Sequence, residues 1–435
     1  MLNSKLTDRQ ACVRSSGGNC RVPVTHVLCG FSKGLVSDLD DLLPAGSVLI
    51  LEDEHVAATR DAHRRAARHP CVARVAHAPV QNERDPSQVV QALARPEHVA
   101  AVIPATEYGV VAAAALAHAW KLPGAGPRAA TILRDKTALR VHADSAGLPQ
   151  PCWQSALSTG DVLEFRSRHG GRCVLKPANL QASLGVRLLD ADDDVASAWE
   201  ATIGATEPKM RSPHAEPGRF LVEEWLPGPE VSVECLVGEG KLLFLNITEK
   251  LLHPGSSPVE SGHTVPASLP SSVVDELTRL MRLLIDSTAF GSGVLHAEWI
   301  LVDGVRPHLV ECAGRLPGDS IDLLIDLAYG GRITADLLAV LSGGSRPPRD
   351  TGPKGAAIRF LSARPGVVRS VAGLAESRAA DGVREVELDV ETGTSVTAPR
   401  SSWDRLGHVL ATGDDGAQAA RNAAAAAALI DIRTS

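Results

Sequence analysis

From residue 24 onwards, short apolar runs alternate with longer segments of helical character. The apolar runs are predicted strands, at 24–28, 48–51, 72–75 and 100–104. Helices are predicted between and after them, near 55–68, 86–94 and 108–120. Strands that alternate with helices predict a parallel, doubly wound sheet. The glycine turn after the first strand is not followed by G-x-G-x-x-G, so a dinucleotide site of that kind is not expected.

Composition and charge narrow the class of partner. The 435 residues are 44% apolar and carry a formal net charge of −7. This balance gives no basic field to attract nucleic acid or an anionic membrane, so a small-molecule substrate is expected instead. The eight cysteines stand singly, without the C-x-x-C pairs of zinc sites, and are expected to be reduced structural thiols. Residues 1–23 lack a continuous apolar core and predict a loose leader on a cytoplasmic protein.

The first chemical motif is a lysine at the end of a predicted strand, followed by a loop of small residues. Lys176 ends the strand, and Ser183 and Gly185 lie in the loop before the next strand. Backbone N–H groups and one ammonium can surround phosphate oxygens only where side chains stay small. The motif indicates a phosphate-binding loop, with a surface hairpin that exposes a lysine as the alternative.

The second motif is a pair of acidic residues that closes an apolar strand before a Pro/Gly turn. Glu223 lies at the end of the strand, Trp225 and Leu226 begin the turn, and Glu230 opens the next strand. An adenine amino group needs an acceptor, the ring needs backbone polar groups and apolar cover, and a ribose diol needs a carboxylate nearby. These residues could supply all of them. Solvated acids at a hairpin are the alternative.

The third motif places two glutamates among apolar residues on adjacent predicted strands, a hairpin joined at Asp303-Gly304. These are Glu298 and Glu311, and Arg315 follows the second strand. Buried carboxylates are unfavourable unless they are paired or bind a metal. Facing glutamates can bridge magnesium to phosphates, while the arginine stabilises charge during phosphoryl transfer. A structural ion pair between Arg315 and one of the glutamates is the alternative.

In this order and spacing, the three motifs resemble the ATP-grasp superfamily and, within it, the L-amino-acid ligases that form dipeptides. The resemblance covers most of the chain from about residue 24. It implies a mixed α/β and α+β protein with an N-terminal parallel-sheet domain, a two-part ATP-grasp core and a small C-terminal α+β domain. The corresponding ranges are a leader at 1–23, the N-terminal domain at 24–122, the ATP-grasp domain at 123–343, divided at about 150–228 and 229–343, and the C-terminal domain at 354–435.

The resemblance assigns a role to each motif. Lys136 and Lys176 look like the phosphate-contacting lysines, Glu223 and Leu226 like the adenine contacts, and Glu230 like the ribose ligand. The cofactors implied are ATP and Mg²⁺, with Mn²⁺ as an alternative, held by Glu298 and Glu311. Most ATP-grasp enzymes carry Asn two residues after the second glutamate, whereas this chain has Ala313. The dipeptide ligases of this type also carry a small residue at that position.

A stretch similar to the E-x-x-H-x-x-P sequence of dipeptide ligases supplies candidates for substrate binding. Glu260 could pair with a substrate ammonium, and His263 and His296 could contact a carboxylate or an acylphosphate. A histidine hydrogen-bonded in the core or capping a turn is the alternative for each. Asp319, four residues after Arg315, could accept a cationic or hydroxyl-bearing substrate side chain, or could cap the helix that starts near Ser320.

The function implied is ATP-dependent joining of a carboxylate to an amine through an acylphosphate, with release of ADP and phosphate. Amino acids or similar small molecules are the expected substrates, and a homodimer is implied by the family. A carboxylase or purine-pathway ATP-grasp enzyme is one alternative. A regulatory protein that binds ATP without turnover is another, kept open by Ala313.

Overall fold

The computed structural model describes residues 22–207, 209–213, 215–254, 257–345, 349 and 354–435. Most of the predicted leader, and Pro347, Pro348, Gly352 and Pro353 of the Pro/Gly-rich stretch before residue 354, lie outside these residues. Within the described part of the chain, no helix combines the length and apolar character that crossing a membrane requires.

The N-terminal part is the predicted parallel sheet, with strands in the order β3-β2-β1-β4. Its elements are β1 (His26–Cys29), α1 (Lys33–Leu42), β2 (Val48–Glu52), α2 (Glu54–Thr59), α3 (Ala62–Ala66), β3 (Val72–His77), α4 (Ser87–Ala92), β4 (Ala101–Pro104) and α5 (Val110–Ala119). Helix α1 was not predicted, although it buries Leu35, Val36 and Leu39. The helix predicted at 55–68 is divided in two, because Asp61 adopts a left-handed conformation.

Two helices lead from this sheet into a small antiparallel sheet with strand order β5-β8-β6-β7. The elements are α6 (Pro127–Arg134), α7 (Lys136–Ala146), β5 (Trp153–Ala156), α8 (Thr159–Arg168), β6 (Cys173–Pro177), β7 (Arg187–Leu189), α9 (Val195–Ile203) and β8 (Phe220–Glu224). Helix α7 begins where the Asp135 side chain accepts the amide of Ala138, and it ends at left-handed Gly147. Its first turn therefore has a defined position beside the small sheet.

The third part is a large antiparallel sheet in the order β13-β12-β9-β10-β11-β14-β18-β16. Its central elements are β9 (Glu230–Gly238), β10 (Lys241–Leu252), β11 (Glu260–Val265), α10 (Ser271–Thr288), β12 (Gly293–Val302), β13 (Arg306–Ala313), α11 (Ile321–Tyr329) and α12 (Ile333–Leu341). After β8 the chain leaves the small sheet and starts the large one at β9. Proline and glycine in the intervening turn explain this change.

The C-terminal part extends the large sheet and adds a three-stranded one in the order β17-β15-β19. Its elements are β14 (Gly355–Phe360), β15 (Gly366–Ala372), α13 (Leu374–Ala379), β16 (Val383–Leu388), β17 (Ser395–Val396), β18 (Gly407–Gly413), α14 (Gly416–Ala428) and β19 (Asp431–Thr434). Strand β14 pairs with β11, Gly262 opposite Arg359 and Val265 opposite Ala356. The C-terminal chain is thereby held against the middle of the molecule.

Candidate active site

A cleft of about 770 Å³ lies between the small sheet and the large one, and residues from the N-terminal and C-terminal parts also line it. Of the site residues predicted from the sequence, the cleft is lined by Lys136, Lys176, Ser183, Glu223, Trp225, Leu226, Glu230, Glu260, His263, His296, Glu298, Glu311, Arg315 and Asp319. Gly185 does not line it. This cleft has the concave form and the convergent polar groups that are typical of a small-molecule site.

The carboxylate of Glu223 is held between two cations at the end of β8. Arg140 Nε and Lys176 Nζ each lie 2.7 Å from it, and all three side chains are buried. Burial favours the neutral acid, but the two cations outweigh burial and lower the pKa of Glu223. Burial lowers the pKa of Lys176, against the charge of Glu223. Arg140 was not predicted, although it follows Lys136 by one helical turn on α7 and so shares its face.

The turn after β8 packs closely on the large sheet. A Cβ atom at Gly228 would lie 2.2 Å from the carbonyl oxygen of Leu301, so only glycine fits. Leu226 is buried beside the cleft, and Trp225 stacks with the guanidinium of Arg172 at 3.8 Å. This turn gives the cleft an apolar wall next to Glu223.

The small-residue loop after Lys176 is closed over the cleft. Ser183 Oγ donates to the carbonyl oxygen of Pro258 at 2.8 Å. The backbone N–H of Ser402 donates to the carbonyl oxygen of Ala182 at 3.2 Å. Gly185 lies behind the loop, where a Cβ atom would approach that of Ala205 to 2.7 Å. The absence of a side chain at Gly185 serves close packing behind the loop, and a contact of this residue with the cofactor stays a prediction.

The two glutamates predicted to hold a metal face each other. Glu298 on β12 pairs in register with Glu311 on β13, so both side chains project from the same face of the sheet. Lys136 Nζ lies 2.9 Å from Glu311 and donates to the carbonyl oxygen of Leu180 at 2.7 Å. Two carboxylates on one face suit a hard divalent cation, which takes its remaining oxygen ligands from phosphate and water. The donor set therefore fits Mg²⁺ or Mn²⁺.

Lys250 on β10 is the central cation of the cleft and was not predicted. Its ammonium bonds the carboxylates of Glu230, Glu298 at 2.7 Å and Glu260 at 3.3 Å. Burial alone would lower its pKa, but the three carboxylates outweigh burial and raise the pKa of Lys250 well above its usual value. Burial raises the pKa of Glu230, against the charge of Lys250. The predicted ribose ligand is thus ion-paired in this structure.

His296 bridges two carboxylates. Its Nδ1 lies 2.9 Å from Glu234, which also accepts from Asn246 and Thr248, and its Nε2 lies 3.6 Å from Glu298. Burial favours the neutral ring, but the hydrogen bonds with the two glutamates raise the pKa of His296 to about 9. The ring is therefore a cation at neutral pH. It is both hydrogen-bonded in the sheet and exposed to the cleft.

Arg315 is held by the N-terminal part of the chain. Its Nε lies 2.7 Å from the carboxylate of Glu107, in a short 3-10 helix that precedes α5. The alternative of an ion pair with Glu298 or Glu311 is not observed. Burial opposes the charge of Glu107, but Arg315 and Arg134 outweigh burial and lower its pKa. A lone glutamate after a predicted strand gave no signal for this contact, since the two residues are 208 positions apart.

The predicted substrate residues form a second charged group. Asp319 accepts from His263 at 3.0 Å, while the guanidinium of Arg405 bonds Asp319 at 2.6 Å and Glu260 at 2.8 Å. Asp319 does not cap helix α11, because Ser320 is the N-cap residue and makes no side-chain cap. His263 and Arg405 outweigh burial and lower the pKa of Asp319. The carboxylate is therefore ionised and already paired.

Two family models match the chain. The ATP-grasp domain matches residues 170–322, and the L-amino acid ligase C-terminal domain 2 matches residues 359–435. The L-amino acid ligase structure from Bacillus licheniformis covers 95% of this chain and 99% of its own, with a TM-score of 0.74 at 18% identity. At that identity the likeness shows the fold.

The relatives found by sequence align with smaller shares of this chain and of their own length. The uncharacterized protein y4rH of Sinorhizobium fredii is 26% identical over 72% of this chain and 64% of its own. The alanine–anticapsin ligase of Bacillus subtilis is 24% identical over 51% of this chain and 50% of its own. The chain thus spans about half to two thirds of the length of these relatives.

The cleft lies between two sheets within the region that contains the matched ATP-grasp domain. More particularly, the chain combines an ATP-grasp domain with an L-amino acid ligase C-terminal domain. The predicted fold class and family resemblance are confirmed.

Proposed function

We propose that this protein joins a carboxylate to an amine at the expense of ATP, through an acylphosphate, and releases ADP and phosphate. The observation that carries the proposal is the convergence of Lys136, Lys176 and Arg315 on the cleft lined by Glu298 and Glu311. Three cations beside two facing carboxylates match the charge of a nucleoside triphosphate and its divalent cation. The C-terminal domain match supports an amino acid as one of the two substrates.

Phosphoryl transfer in this cleft is a matter of position and charge. Lys136 and Lys176, which pair with Glu311 and Glu223, exchange these carboxylates for phosphate oxygens when ATP binds. Glu298 and Glu311 would hold Mg²⁺ or Mn²⁺, and such an ion would supply positive charge beside the phosphates. Arg315 stabilises charge that develops as the substrate carboxylate takes the γ-phosphoryl group. No covalent protein nucleophile is needed.

The second half-reaction needs an amine and the exclusion of water. The substrate amine attacks the acylphosphate carbon, and phosphate leaves as the amide bond forms. The loop that carries Ser183 covers the cleft through its bond to Pro258, and this cover protects the acylphosphate from hydrolysis. Glu260 and His263 are the proposed contacts of the amino-acid substrate.

We infer a homodimer from the family and the cytoplasm from the cysteines, since the six described cysteines are free thiols. Light scattering of the purified protein tests the first. The expected mass is twice 45.7 kDa.

The decisive experiment is a pairwise panel of amino acids with ATP and Mg²⁺, in which phosphate release is measured and products are weighed by mass spectrometry. Phosphate and ADP should appear only when an acid and an amine are both present. Release of AMP and pyrophosphate would contradict the acylphosphate route. A panel with bicarbonate or formate tests the carboxylase and purine-pathway alternative. ATP binding without turnover on any panel would identify a regulatory protein instead.

A further inference from the structure

The guanidinium of Arg405, in the C-terminal part of the chain, lies directly behind two carboxylates that line the cleft, those of Asp319 and Glu260. It makes four hydrogen bonds: two to the carboxylate of Asp319, one to the carboxylate of Glu260 and one to the carbonyl oxygen of Glu260. It also stacks on the ring of Phe360 at 3.6 Å. Arginine in such a fork geometry holds two carboxylates in a fixed arrangement.

This arrangement connects the substrate wall to the reacting end of the cleft. Glu260 also bonds Lys250, which in turn bonds Glu298, one of the two facing glutamates. A molecule in the cleft beside Glu298 therefore lies along a continuous row of paired charges that ends at Asp319 and Arg405. A substrate side chain that extends towards Asp319 would therefore contact the charges at the end of this row.

Arg405 also cancels the charge that Asp319 would otherwise present. Asp319 and Ser320 both adopt left-handed conformations, with φ of 60° and 59°, which are unfavourable for residues other than glycine. The paired bonds from Arg405 and the bond from His263 hold Asp319 there. Asp319 faces the cleft with Arg405 behind it, so a cationic side chain that approached this carboxylate would meet an acid whose charge is already compensated.

We propose that Arg405 determines substrate selectivity: it excludes amino acids with a cationic side chain and admits those with a neutral or acidic one. The inference rests on the proposed ligase function. Because the guanidinium behind Asp319 cancels its charge, a cationic side chain would lose its hydration in the partly buried cleft without gaining an ionic partner there. Removing the guanidinium leaves Asp319 with its bond to His263 but without its arginine partner, so the carboxylate favours a cation.

The test compares L-lysine with L-norleucine, which lacks the side-chain amine. In Arg405→Met, the ratio of kcat/KM for lysine to that for norleucine should rise by about tenfold or more, while KM for ATP changes little. Arg405→Lys keeps a cation and should keep the wild-type preference. The double variant Asp319→Asn/Arg405→Met has neither charge and should lose the gain for lysine. Exposed Arg369→Met is the matched control in the same part of the chain.

A second variant gives the opposite result and does not depend on the folding of the first. Asp319→Asn leaves the guanidinium of Arg405 uncompensated at that end, so the preference for glutamate over glutamine should rise. Unchanged selectivity in folded Arg405→Met or Asp319→Asn would overturn the inference. Binding of the same amino acids is measured by titration calorimetry as well as by turnover. Absence of turnover in the wild type therefore contradicts the proposed function. Equal affinity of the wild type for lysine and norleucine contradicts the role of Arg405.

Discussion

The ammonium of Lys250 lies 2.7 Å from the carboxylate of Glu298, on strands that are separated by β9. The same ammonium bonds Glu230 and Glu260, so one buried cation compensates three acids. Lys250→Met should lower the free energy of unfolding by about 3–5 kcal/mol, because buried carboxylates are left without their partner. Chemical denaturation measures the loss.

A divalent cation should offset part of this loss. Millimolar Mg²⁺ is expected to raise the melting temperature of Lys250→Met more than that of the wild type, because the metal replaces the missing positive charge near Glu298. Exposed Lys241→Met, on the same strand, is the control and should behave like the wild type. Equal stability of the Lys250 and Lys241 variants would show that the three acids do not depend on this cation.

Glu107 positions Arg315 from the N-terminal part of the chain. In Glu107→Gln the guanidinium of Arg315 loses its charged partner at 2.7 Å, so its position in the cleft is less fixed. We expect kcat to fall by about tenfold or more, with little change in KM for ATP, because the charge of Arg315 is used in the transition state. Steady-state phosphate release gives both constants.

The matched control for this variant is Glu97→Gln, an exposed glutamate in the same part of the chain. It should leave both constants unchanged. A Glu107→Gln enzyme with the wild-type kcat would show that Arg315 is held well enough by its remaining bond, to the carbonyl oxygen of Leu316.

Two glycines with the same backbone conformation separate strain from packing. Gly185 and Gly170 both have φ of 76°, but a Cβ atom at Gly185 meets Ala205 at 2.7 Å, whereas nothing lies within 4 Å of one at Gly170. Gly170→Ala should cost about 1 kcal/mol from the backbone alone. Gly185→Ala should cost about 1–3 kcal/mol more, because the loop is displaced.

The loop displacement should also affect nucleotide binding. KM for ATP is expected to rise in Gly185→Ala and to stay unchanged in Gly170→Ala, as measured by phosphate release. Similar effects of the two substitutions on stability and on KM would mean that close packing behind the loop has no role.

Protonation of His26 should make the free energy of unfolding depend on pH. Burial at the start of the central strand β1 lowers the pKa of His26 to about 4. The unfolded chain takes up this proton below about pH 6.5 and the folded chain only near pH 4, so the unfolded state binds more protons in between. Stability should be complete above about pH 6.5, fall on acidification by up to about 3 kcal/mol, and level off below about pH 4.

The comparison variant for this pH dependence is His26→Gln, which cannot titrate. Denaturation across the same pH range should show a smaller slope for the variant than for the wild type, and exposed His98→Gln should keep the wild-type slope. Parallel curves for His26→Gln and the wild type would assign the acid sensitivity to other groups.

Local pattern was sufficient for many elements and for the main pairing in the site. The hairpin predicted at Asp303-Gly304 is present, and its register brings Glu298 opposite Glu311. The apolar residues of helix α10 are spaced for one helical face, on which it buries Leu277, Met281 and Leu284. Such features depend on neighbours within one turn or one hairpin, which a sequence pattern contains.

Other elements were missed because their local pattern is weak. Helices α8 and α9, which pack on the small sheet, lie in stretches to which no element was assigned. Helix α8 begins at a capping box made by Ser158 and Asp161, which is a usable signal that precedes it. Strand β11 was recognised only as a motif, because its polar residues do not show the apolar pattern of a buried strand. In the structure Glu260 and His263 are buried and paired with charged partners.

The sequence by itself determined the class of fold, the order of the motifs and the residues that could carry the chemistry, because periodicity, turn residues and hairpin register are local properties. Only the tertiary structure decided which charges meet: Lys250 with three glutamates, Glu107 with Arg315, and Arg405 with Asp319. Each of these pairs joins different elements or different parts of the chain. Ion pairs form wherever folding leaves opposite charges buried side by side, and nothing in the spacing along the chain specifies that partner.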